Sequence, residues 1–177
     1  MLYVQAMCRD YSELVKAFSP EQLNQGLRAV FGSGIDCQRY LFDAAVEVKL
    51  RIECVESMYL PFRDVVGSSV GDIWETFYFM WWDMILHSFD PMPNEYKYGH
   101  LTLTADQEQM IDAIYHTLAR TLALNHRGCQ LCALHGLGHL YHPSKEELVQ
   151  RYLDEHRGEL SVQDMQWVEG CRDGCVQ

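Results

Sequence analysis

Cys129-Gln130-Leu131-Cys132-Ala133-Leu134-His135-Gly136-Leu137-Gly138-His139-Leu140 is the stretch on which the reading of this chain turns. Small or apolar residues stand at 129, 132, 133, 136, 137 and 140, which is the i, i+3, i+4, i+7, i+8, i+11 spacing of one helix face. Cys132, Ala133 and Gly136 lack bulk, so a second helix can approach there, and Leu137 and Leu140 supply apolar contact. The expectation is a rod at 129–141 sealed along one side, with His135 and His139 flanking the seal.

Outward from this rod, the punctuation is that of helices. Ser144-Lys145-Glu146-Glu147 has the spacing of a capping box and predicts a helix to about His156, after Pro143 has ended the preceding one. Ser161-Val162-Gln163-Asp164 opens a last helix to about Cys175. Upstream, Thr104-Ala105-Asp106-Gln107 forms another capping box and starts a helix over 105–124. Residues 2–18 form a first helix, and Ser19-Pro20-Glu21 gives a cap, a first-position Pro and an acidic first turn for a second, ending near Phe31. Gly32-Ser33-Gly34 breaks the chain, and Asp36 is expected to cap a third helix from Cys37 to about Tyr59, stopped by Pro61. Residues 61–72 are expected to be a loop with Asp72 as the next cap, followed by an apolar helix over 73–88 and an irregular stretch from Asp90. No alternating run bounded by hairpin dipeptides occurs, so no sheet is expected.

Composition narrows the class. The chain has 177 residues, 48% of them hydrophobic, enough for one domain with a sizeable core. The N-terminus lacks a basic region followed by an apolar stretch, so no secretory signal is expected. No apolar run reaches membrane-spanning length, because Ile73 to Phe89 carries Glu75, Asp83 and His87. Seven Cys without framework spacing suit reduced thiols in the cytoplasm. With 25 acidic against 14 basic residues the net charge is −11, and no basic stripe forms, which disfavours nucleic-acid binding. A basic partner suits that charge, although acidity also serves solubility.

The 129–140 rod, ending in Gly136-Leu137-Gly138-His139-Leu140, is similar to the first helix of a HEAT repeat, in particular the short phycobilin-lyase-type pattern with its terminal Ala-Leu-Gly-x-Leu. A polar turn with Pro follows at Tyr141-His142-Pro143. A second amphipathic helix then carries Leu148, Val149, Tyr152 and Leu153. The resemblance covers about residues 128–177. It implies an all-α fold of antiparallel helix pairs stacked as a short right-handed α-α superhelix behind irregular N-terminal helices, and a scaffold that holds partner proteins.

Chemistry-bearing patterns are few. Cys129-x-x-Cys132-x-x-His135-x-x-x-His139 offers four good zinc ligands, but on one helix Cys129 and His139 stand about 15 Å apart along the axis, too far to converge on one ion. His135 and His139, one turn apart, could share a metal only with outside ligands such as His142, His116 or Cys171. No metal or cofactor is expected, and no phosphate loop, nucleophile elbow or His-Glu-x-x-His occurs. The helix at 73–88 is apolar nearly all round, with Asp72, Thr76, Asp83 and His87 as a narrow polar strip. It belongs in the core or under a partner.

The resulting expectation is a non-enzymatic interaction protein. Its candidate contact residues are His135, His139 and Tyr141, with Trp81 and Trp82 added if their helix is exposed. A helical metal- or cofactor-binding enzyme using the His/Cys cluster, an acidic inhibitor or immunity-type protein, and a homodimer are the alternatives.

Overall fold

A computed structural model describes residues 1–32, 35–68, 77–88 and 103–176. The described residues form ten α-helices and two 3-10 turns, with no strand. The helices are α1 (Leu2–Arg9), α2 (Tyr11–Ala17), α3 (Pro20–Phe31), α4 (Val48–Ser57), α5 (Tyr59–Asp64), α6 (Phe77–Leu86), α7 (Ala105–Leu122), α8 (Arg127–His139), α9 (Lys145–His156) and α10 (Val162–Asp173). None is long and apolar enough to cross a membrane.

Three capping boxes form as their sequences require. Ser19 and Gln22 exchange side-chain and backbone hydrogen bonds ahead of α3, as do Thr104 and Gln107 ahead of α7 and Ser161 and Asp164 ahead of α10. The box expected at Ser144 does not form. Ser144 sits at φ −90°, ψ 3°, outside the extended region a cap needs, because its amide donates to His142 Nδ1 (3.1 Å) and its carbonyl accepts from Tyr115 (3.3 Å).

The N-terminal half departs from expectation in three places. The helix expected over 2–18 breaks at Asp10 (φ −100°, ψ 18°) into α1 and α2. The helix expected over Cys37–Tyr59 is instead a 3-10 turn, Cys37–Leu41, followed by α4. Asp36 caps nothing with its side chain, since it lies in the left-handed region (φ 57°), and Asp43 then diverts the chain by accepting from the Ala45 amide at 2.9 Å in an Asx turn. Pro61 does not end a helix. It occupies the first turn of α5, where its missing N–H costs nothing, so part of the loop expected over 61–72 is helix and a second 3-10 turn, Val66–Ser68. The expected cap at Asp72 and the irregular stretch at Asp90–Asn94 lie outside the described residues, as do 73–76 of the apolar helix.

α8 is the central element. It packs most extensively against α6, then α7 and α10, and it also touches the second 3-10 turn. The expected stripe is buried at all six positions, but Leu134, His135 and Gly138 are buried too, so the seal extends round most of the helix. α7 is shared with α4 and α5, α3 leans on α6, and α1 covers α4 and α5. α9 lies against α10, and α10 returns to α8. The apolar α6 is a core helix. Trp81, Trp82, Ile85 and Leu86 are buried, and Trp81 is surrounded by Phe31 (centroids 4.8 Å apart), Phe62 (5.8 Å) and Tyr78 (6.5 Å).

The closest approach of α6 and α8 depends on an absent side chain. A Cβ at Gly136 would stand 2.7 Å from both Trp82 Cβ and Leu118 Cδ2. Trp82 Cβ is fixed by its own backbone, so the strain cannot be relieved by turning a side-chain tip. Gly136→Ala is therefore expected to destabilise the protein by about 1–3 kcal/mol, the usual cost of overpacking. Gly26→Ala in α3, where nothing lies within 4 Å of the new methyl, should be neutral or stabilise by up to about 1 kcal/mol. Urea unfolding of the two variants checks the contrast.

Candidate functional site at the seam of α6 and α8

Phe79 and Asp83 stand at i, i+4 on α6 with His87 one residue beyond its end, and His135 and His139 stand at i, i+4 on α8, so both sets lie along the line where the helices meet. The contacts form a row. His87 Nδ1–H donates to the Asp83 carbonyl (3.1 Å) and lies 3.1 Å from its carboxylate oxygen Oδ1. His139 Nε2 is 3.3 Å from the same Oδ1 and 3.2 Å from His135 Nε2. His135 Nδ1 meets the Phe79 carbonyl at 3.1 Å, and its ring lies flat on Phe79, centroids 4.3 Å apart at 8°.

The proton positions follow from what a carbonyl can do. It only accepts, so His135 Nδ1 carries a hydrogen, and the neutral ring presents a bare Nε2 to His139. His139 Nε2–H donates to that lone pair. Neither imidazole is aligned to hydrogen-bond Asp83 Oδ1, which is nonetheless buried between them. Burial is the main cause that holds His139 below its ordinary value of 6.5, opposed by Asp83 and reinforced by His135, His87 and Lys145.

A second His–Asp pair lies nearby. His142 Nε2 meets Asp112 Oδ1 at 3.1 Å with its ring stacked on Tyr115 at 3.8 Å. Burial again lowers its titration, against the hydrogen bond that His142 donates to the Asp112 carboxylate. Between the pairs is a cavity of about 40 Å³, bordered by His139, Tyr141, His142, Lys145 and Arg172.

Trp81 and Trp82 are fully buried, so the exposure on which their contact role was conditional is not met. His135 is 3% exposed and inside the seam rather than at its edge, because α6 closes over that side of α8 as well. His139 and Tyr141 are partly exposed. Of the outside ligands considered, His142 is near the seam only through the shared cavity, His116 packs beside Tyr115, and Cys171 is buried in α10. Cys129 Sγ–H donates to the Phe62 carbonyl at 3.5 Å, far from His139. Among the described residues, no three or more His, Cys, Asp or Glu are disposed to hold a metal ion. Asp83 and His87, noted from sequence only as polar strip, are the members missed. Their i, i+4 spacing was the available signal.

The five buried thiols are chemically quiet. Burial pushes Cys129 up to about 11 and Cys8, Cys54 and Cys171 to about 12, and it raises Cys132 as well. No protein-family model, curated protein or solved structure matches this chain. The site's chemistry is thus a matter of its own geometry.

Labelling with a thiol reagent at pH 7.5 should modify Cys175, which is exposed, and more slowly Cys37, which is half-buried. The other five should react only after unfolding. Rapid native labelling of Cys129 or Cys132 would contradict the packing of α8.

Proposed function

We propose that this chain is a non-enzymatic helical protein that works by binding a partner protein. The observation that carries the reading is the apolar surface of α1 and α2. Tyr3 is 93% exposed, Leu2 67%, Phe18 49% and Val15 39%, although the same two helices bury Val4, Cys8 and Tyr11. Single exposed apolar residues are ordinary; Leu2 and Tyr3 on α1, Val15 on α2 and Phe18 at its C-terminal cap are four within one short segment, which favours an interaction surface.

Other features support it. The raised thiols offer no activated nucleophile, and the imidazoles at the α6–α8 seam are engaged with one another and with backbone. In the C-terminal third α8 packs against α10 and α10 against α9; a scaffold of stacked helices, which the HEAT-like resemblance implies, is part of the same proposal. The contact residues proposed from sequence that remain reachable are His139 and Tyr141. The net charge of −11 favours a partner with a basic rim, as an inhibitor of a basic protein would have. Free cysteines throughout are in keeping with a cytoplasmic setting.

The test is quantitative affinity capture with wild type and Tyr3→Ser/Phe18→Ser. The exposed positions predict unchanged folding, within about 0.5 kcal/mol, and loss of at least about tenfold in recovery of a stoichiometric partner, with binding weakened by salt. Equal recovery by both proteins would refute the α1–α2 surface, and recovery of no stoichiometric partner would refute the interaction reading. A concentration-dependent homodimer lost in the double variant would identify the partner as a second copy.

A further inference from the structure

Charge is distributed unevenly along this chain. Residues 1–31 hold Arg9, Lys16 and Arg28 against Asp10, Glu13 and Glu21, so α1, α2 and α3 together are neutral, and the net charge of −11 resides in residues 32–177. The neutral stretch is also where exposed apolar side chains concentrate. Seven large hydrophobic residues are exposed among the described residues, and four of them, Leu2, Tyr3, Val15 and Phe18, fall within about a tenth of the chain.

Together the two facts bear on what can cover that surface. A basic protein is drawn to the acidic remainder of the molecule, where its charge is answered, and gains little from a neutral segment. A second copy of this chain meets the opposite condition. Two molecules of charge −11 repel wherever their acidic surfaces approach, and the repulsion is least where each presents a neutral segment. We propose that α1 and α2 form the interface of a two-fold symmetric homodimer, in which Leu2, Tyr3, Val15 and Phe18 are covered by α1 and α2 of the other copy. The proposal rests on the reading of this segment as a protein-binding surface, and it names the occupant.

The area is sufficient. An aromatic side chain buries about 150–250 Å² when fully covered, so Tyr3 at 93% exposure and Phe18 at 49%, together with Leu2 and Val15, offer about 500 Å² per copy and about 1,000 Å² over the two. That reaches the lower bound of a specific interface before any polar residue is counted, and it suits a dimer in exchange with monomer. Symmetry adds a condition on charge. A two-fold contact sets a surface against its own image, so its charges must be of both signs or absent. Here both signs are present. Lys16 and Glu13 answer each other at 2.7 Å, while Arg9 and Asp10, exposed where α1 meets α2, make no ion pair among the described residues, and the Asp10 side chain caps nothing. Each copy thus offers the other one unanswered charge of each sign.

Sedimentation equilibrium of the full chain from about 1 to 100 µM, at about 0.05 and 0.5 M salt, tests the proposal. Wild type should show a monomer–dimer equilibrium in the micromolar range that tightens several-fold at the higher salt, the opposite of the weakening a basic partner shows. Tyr3→Ser and Phe18→Ser should each weaken the dimer, and together by at least about tenfold, with circular dichroism unchanged. Arg9→Glu takes the neutral segment to a charge of −2 and should weaken the dimer at low salt by about fivefold or more. Arg157→Glu, an exposed change of the same size at the end of α9, should not. A monomer at 100 µM in both salts, a dimer that either serine variant leaves intact, one that salt loosens, or an equal loss in Arg157→Glu would overturn the homodimer. Affinity capture then separates the two levels. A monomer with a stoichiometric foreign partner removes the second copy and leaves the interaction reading standing, whereas a monomer with no partner removes both.

Discussion

A missing methyl group at position 136 sets how closely α6 and α8 can lie, and most of the structure depends on that approach. With Gly136 directly against Trp82 and Leu118, and with Ala133 and Cys132 on the same helix, α8 can be enclosed by α6, α7 and α10 at once. The indole of Trp82 is the largest gain from that enclosure. Burying a side chain of about 150–250 Å² at about 25 cal/mol/Å² stabilises the fold by about 4–6 kcal/mol. Among the described residues the Trp82 Nε1–H has no acceptor, a cost of about 1–3 kcal/mol. The apolar term is larger, so the indole stays inside although its N–H is unanswered.

The same enclosure explains what sequence could and could not disclose. Helix starts at Ser19, Thr104 and Ser161 were legible because a cap is a local affair between a residue and the one three positions on. Ser144 has the same local spelling but a competing partner in His142, and that partner is placed by the turn through Pro143. The breaks at Asp10 and Asp43 were not legible as breaks, since Asp is tolerated within helices as well as in turns. Pro61 reads as punctuation, but whether a proline ends one helix or begins the next depends on where the preceding helix has stopped.

For α8 the pattern was right and the inference from it too narrow. A six-position stripe specifies one neighbour; three neighbours bury the residues beside the stripe as well, and Leu134, His135 and Gly138 carry no mark by which the sequence distinguishes one-sided from many-sided burial. The same ambiguity governs the site. His135 and His139 at i, i+4 were evident, and so were Asp83 and His87 on the other helix, but nothing in either segment says that the two pairs meet. Their meeting is a consequence of α6 lying along α8, and so of Gly136.

Why the seam carries imidazoles at all is a matter of register rather than strength. An apolar residue at 139 would fill the same edge without desolvating a polar ring, and buried polar contacts of this kind contribute little net free energy. They are, however, selective about position. Sliding α8 by one turn past α6 would move His135 about 5.4 Å, taking its Nδ1 off the Phe79 carbonyl and leaving a buried donor unanswered, whereas leucines tolerate such a slip. The row therefore fixes which turn of α8 faces which turn of α6, a choice that the apolar contacts on either side leave open.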